Sequence, residues 1–175
     1  MVGFDIDTRA YHTSVTAIIG IPTGMKIMNW LSSIWSGCSF LTTTIYRIIG
    51  FPYSSSFGGF SGLVSANVVP DVLLHDTYYV VSHFHYVLSP GAVYTIYAAF
   101  YNHWMIFSSY LYFHEFIGRI HFMGFFISSN LIFFSMHSLG IFGSPRRISD
   151  YPILFFNWFS LILLLWWIIM NTINN

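Results

Sequence analysis

The segment His75-Asp76-Thr77-Tyr78-Tyr79-Val80-Val81-Ser82-His83-Phe84-His85-Tyr86 carries three of the chain's eight histidines and a carboxylate. Imidazole and carboxylate are metal-ligand groups, and in an apolar setting such groups are costly unless they serve a function. On a helix that advances about 100° per residue, His83 and His85 project about 200° apart. Such a pair does not readily chelate one ion, but each ring can ligate a separate centre, and two haems sharing one helix is an arrangement this spacing permits. Two core histidines hydrogen-bonded to neighbouring helices are the alternative. A second group is the adjacent pair Arg146-Arg147, whose guanidiniums can grip carboxylates bidentately or serve as a plain loop charge pair. A third is Lys26 with Thr23, inside an apolar run. A lysine there either snorkels to an interface or lies on a proton path.

The elements that hold these groups have to be built from a very apolar chain. It has 175 residues, 55% hydrophobic, 21% aromatic and only 7% charged, with a mean hydropathy of +0.65. A soluble domain carries about 25% charged residues, so most of this surface must face lipid or other protein. The expected class is an all-α membrane protein. Six basic and six acidic residues cancel, which excludes a nucleic-acid partner held by phosphate neutralisation. The lone Cys38 forms no internal disulfide or thiolate cluster and reads as a packing residue. The first residues show no targeting signal, so the chain is either made where it works or already stripped of a presequence.

Runs of about 20 apolar residues mark spanning helices, expected here over 13–36, 40–66, 77–101, 117–141 and 153–171 within one integral membrane unit. The second is weak in hydropathy: it holds Arg47, Pro52 and the stretch Ser54-Ser55-Ser56-Phe57-Gly58-Gly59, although small residues suit close helix packing. Two spans separate the loop at 71–76 from the loop at 144–150, so both should emerge on one membrane face.

With these motifs laid out, residues 75–87 resemble, almost letter for letter, the helix X signature of the haem–copper oxidase subunit 1 family. The resemblance implies that His83 is the axial ligand of a high-spin haem a3 and His85 an axial ligand of a low-spin haem a. It implies that His75 and Asp76 hold magnesium at the boundary with subunit 2. Asp5-Ile6-Asp7-Thr8-Arg9-Ala10-Tyr11 and Ile21-Pro22-Thr23-Gly24-Met25-Lys26 resemble the family's helix VIII, where Thr23 and Lys26 match members of the K proton channel. The first of these motifs is closer to members that use cytochrome c than to quinol oxidases. Ser144-Pro145-Arg146-Arg147-Ile148-Ser149-Asp150-Tyr151-Pro152 resembles the loop whose arginines, here Arg146 and Arg147, bind haem propionates. Ile120-His121-Phe122 and Met136-His137-Ser138-Leu139-Gly140 resemble helix XI, with structural histidines. Departures cluster over 40–61 and at Val68-Val69-Pro70, where a kinked or displaced helix IX is expected.

The family's remaining ligands, three histidines for copper and a second axial histidine for haem a, belong to helices before this chain's match begins. They are expected on a separate polypeptide carrying the N-terminal helices, because the chain starts at Met1 and ends in a polar tail; a fragment of a longer chain is the alternative. By the resemblance, the assembled enzyme transfers electrons from cytochrome c through haem a to haem a3 and copper. It reduces dioxygen to water with proton pumping, alongside subunits 2 and 3 in the mitochondrial inner membrane. A quinol-type oxidase fragment, a haem-free structural or assembly remnant and an ion transporter are the competing readings.

Overall fold

In lipid or against other helices, a backbone has to satisfy its own hydrogen bonds, and helices do so segment by segment. The computed structural model describes residues 3–37, 40–108 and 114–174, and there the regular structure is helical apart from one antiparallel bridge between Thr77 and Pro145. Cys38 lies outside the described residues.

Helix α1 (Ile6–Ser36) contains Pro22 without breaking and buries none of its residues against the described remainder. Thr13, Ser14 and Thr16 donate to the carbonyls four residues back, at 3.0, 2.8 and 2.7 Å, which removes bare hydroxyls from its apolar flank. Helix α2 (Thr43–Ala66) is the weakly apolar segment, and its composition has a structural cause. It packs between α1 and the elements that follow, so small residues stand where lipid-facing leucines otherwise would. Pro52 sits inside α2, whereas the sharp bend, 101°, comes at Asn67, between α2 and the short α3 (Val68–Leu74).

Helix α4 (Tyr78–Tyr86) runs through a π-helical turn, Val87–Ala92, into α5 (Val93–Asn102). Pro90 lies in that turn; it has no N–H and crowds the carbonyl four residues back, and a widened turn accommodates both. After the short α6 (Trp104–Phe107), α7 (Glu115–Ile141) returns across the molecule, and a 3₁₀ turn, Ile153–Phe155, leads into α8 (Phe156–Asn174). Among the described residues α7 alone is long and apolar enough by itself to cross a membrane; α2 and α3 pass only together, and Ile153–Trp167 is apolar but shorter.

The core lies where α4 and α5 meet α7 and α8, around Tyr86, Tyr94, Phe122, Ile132, Phe133 and Phe159. Gly140 lets α7 approach α4 so closely that a Cβ there would overlap the backbone of Tyr79. At the other end, Glu115 of α7 accepts hydrogen bonds from the Thr43 backbone N–H (2.8 Å) and hydroxyl (2.7 Å), capping α2.

Candidate functional site

His83 and His85 leave α4 on different sides. His83 faces α2: its Nδ1 lies 2.7 Å from the Gly58 carbonyl oxygen and 3.3 Å from Ser61 Oγ, and its ring lies over Gly62. A carbonyl only accepts, so Nδ1 carries a proton, and in the neutral ring Nε2 then keeps its lone pair. The ring stands in the wall of a cavity of about 430 Å³ between α1 and α2, also lined by Thr16, Thr23, Ser55 and Ser56. His85 instead faces α7 and stacks on Phe133, with ring centroids 5.5 Å apart. Its Nδ1 meets the Val81 carbonyl oxygen at 2.7 Å, again leaving the Nε2 lone pair for another partner. His103 makes the same four-residue contact to Ala99, so that bond is local helix chemistry. The Gly58 bond of His83 instead reaches across to another helix and fixes the direction of the ring.

The loops at 75–78 and 144–147 meet. Tyr78 N donates to Ser144 O at 3.1 Å and Arg146 N to Asp76 O at 2.9 Å. The Arg146 guanidinium grips Asp76 Oδ1 at 2.6 Å through Nε and 2.5 Å through a terminal nitrogen. That hydrogen bond first, and the positive charge second, hold the Asp76 carboxyl below the usual carboxylate range. Asp76 and Arg147 both adopt left-handed backbone, φ 57° and 60°. Such φ values are uncommon outside glycine and mark two tightly turned loops held against each other. His75 is exposed, its Nδ1 2.9 Å from Asp71 O. Among the described residues no three His, Cys, Asp or Glu side chains form a group that could hold a metal ion. His75 and Asp76 thus have no third such side chain grouped with them among the described residues.

Thr23 and Lys26 stand one turn apart on exposed α1. Thr23 shares the cavity with His83, while Lys26 is not among the residues lining it. His121 and His137 are held within the helix packing. Ser82 donates to Phe133 O at 2.5 Å, so its oxygen is left to accept from His137 Nδ1 at 2.7 Å.

Two groups escaped the reading of the sequence. One is the α2 turn Gly58, Ser61 and Gly62 beneath His83; the glycine-rich stretch was its signal, but pairwise contact is not readable from a single chain. The other surrounds Arg47, which is fully buried. Its guanidinium lies 4.8 and 4.7 Å from the ring centroids of Tyr97 and Tyr101 and bonds His121 Nδ1 at 3.1 Å. Arginine cannot accept, so His121 presents its Nδ1 lone pair and is neutral in this contact.

Comparison with known proteins gives a consistent result. The family model for Cytochrome C and Quinol oxidase polypeptide I matches residues 1–173. Cytochrome c oxidase subunit 1 of Pecten maximus is 48% identical over 158 residues, 90% of this chain and 33% of that protein. The proteins of the same name from Eremothecium gossypii and Yarrowia lipolytica are 49% and 46% identical, each over 90% of this chain and 29% of its own length. The chain thus spans a third or less of these relatives.

Proposed function

We propose, for a chain that belongs to the Cytochrome C and Quinol oxidase polypeptide I family, that it is the C-terminal, haem-ligating part of the catalytic subunit of a cytochrome c oxidase. The observation that supports this most is the pair of imidazoles on opposite flanks of α4, each with Nδ1 bonded to a carbonyl and Nε2 left for a ligand. The residues fit the groups: His83, beside a cavity, would hold the iron of haem a3, and His85, against Phe133, that of haem a. When bound, the two haems, together with copper held by helices outside this chain, supply the electron transfer from cytochrome c and the reduction of dioxygen to water.

This chain's own groups then bind and orient. Gly58 fixes the tautomer and ring direction of His83. Arg146 and Arg147 would pair with propionates, and the paired loops hold both arginines at one rim. His75 and Asp76 would contribute to a magnesium site completed by oxygens from subunit 2. Thr23 and Lys26, one turn apart on α1, would carry protons toward the cavity beside His83. In this reading the long helical runs are five membrane spans, in the mitochondrial inner membrane, completed by N-terminal helices outside this chain and by subunits 2 and 3. A reduced-minus-oxidised visible spectrum of the complex purified through this chain tests it: one low-spin and one high-spin haem are expected. A complex containing this chain but no haem would make it a structural remnant.

A further inference from the structure

One turn of α2 surrounds the outer nitrogen of His83. Nδ1 lies 2.7 Å from the Gly58 carbonyl oxygen; Ser61 Oγ lies 2.9 Å from that same oxygen and 3.3 Å from Nδ1. Ser61 is buried, at 5% exposure. The carbonyl only accepts, so both contacts to it need a hydrogen, from the imidazole N–H and from the serine O–H. The hydroxyl has one hydrogen, and its other acceptor, the Phe57 carbonyl, is farther, at 3.3 Å. The serine proton therefore points at Gly58, and the imidazole and the hydroxyl share one acceptor. Gly62 completes the arrangement, because a Cβ there would come within 2.7 Å of the His83 Cε1.

We infer that Ser61 is a positioning residue that moderates the ligand strength of His83 by competing for the Gly58 carbonyl. The inference rests on the reading of His83 as a haem ligand. A hydrogen bond from Nδ1–H to an acceptor pushes electron density toward Nε2 and makes the imidazole a stronger donor to a metal. A second hydrogen bond to the same oxygen draws density away from it and weakens that push. The contact between Nδ1 and the serine oxygen itself acts in the opposite sense, but at 3.3 Å it lies beyond the usual N–H···O range and is the smaller effect. Removing the hydroxyl leaves the carbonyl to His83 alone, strengthens its bond, and favours the more positive, oxidised iron. Alanine suits a helix interior better than serine, so the substitution does not threaten α2.

The experiment is resonance Raman spectroscopy of the reduced high-spin haem, with redox titration, in the assembled complex carrying Ser61→Ala or Ser61→Thr. Ser61→Ala should raise the iron–histidine stretching frequency and lower the potential of that haem, and Ser61→Thr, which keeps the hydroxyl, should restore both. An unchanged or lowered frequency in Ser61→Ala, with a normal iron–histidine band in the parent complex, overturns the competition for Gly58. A parent complex with no iron–histidine band, or a band that survives His83→Ala, overturns the ligand assignment and the role of Ser61 with it.

Discussion

His83 and His85 are two residues apart, yet they face different helices, and that separation makes their losses separable. His85→Ala should remove the low-spin haem signal from the visible spectrum while high-spin haem persists; His83→Ala should do the reverse. If neither substitution removed its signal, the assignment to different haems would be wrong. The Asp76–Arg146 pair argues a second case. Because the Asp76 pKa is lowered in the folded chain, the link between the loops is present at neutral pH. It is lost only as the pH falls below the ordinary Asp value of about 3.9. Arg146→Leu removes a cation from the rim and leaves the Asp76 carboxylate unpaired. Both changes disfavour adding an electron nearby, so redox titration should show a haem potential lowered by on the order of tens of millivolts, the exposure of the pair limiting the effect. An unchanged or raised potential for both haems counts against the propionate clamp. The histidines, aspartate and arginines were all legible as residues, because each stands in a dense polar motif within an apolar chain. Ser61 was not, since a serine in a serine-rich helix carries no signal until its neighbour across the interface is known.

At the scale of elements, small residues decide which helices touch. Gly140 closes α7 onto the first turn of α4, the turn that leads to His83. In Gly140→Ala the added Cβ meets Tyr79 backbone, which cannot rotate away, so the helices must separate. The cost should be at or above the ~1–3 kcal/mol typical of overpacking. Thermal unfolding of the complex should show a lowered midpoint; a midpoint equal to the parent's would mean that α4 and α7 are not in this contact. Arg47 shows the opposite difficulty. In the sequence it weakens α2 as an apolar segment, whereas in the fold it is caged by Tyr97, Tyr101 and His121 from two other elements. Pro52 misleads in the same way, since the chain bends at Asn67 rather than there.

The helices of the whole molecule form an open array: α1 lies against α2, α2 against α4 and α5, α4 against α7, and α7 against α8. The flank of α1 is apolar and bare, with Ile18, Ile21 and Met28 each more than 60% exposed. Haem edges and propionates at His83 or His85 would face lipid without further helices, at several kcal/mol for each unsatisfied polar group. The chain expressed alone should therefore retain no haem through detergent purification. Gentle isolation should recover it with the first helices of the subunit, and intact-mass measurement tells whether those belong to a separate polypeptide or to one longer chain. Haem held stably by this chain alone would overturn the need for completion.

Composition, periodicity and motif spacing were enough to determine a helical architecture for the described residues and the opposed azimuths of His83 and His85. These follow from local geometry. Only the tertiary structure decided that Asp76 bonds Arg146, that His83 Nδ1 and the Ser61 hydroxyl share the Gly58 carbonyl, and that Arg47 is buried among aromatic rings. Each of these joins residues 22 to 74 positions apart. The physical reason is that hydrogen bonds and cation–π contacts act over a few ångströms, and which residues come that close is set by helix packing, not by residue order.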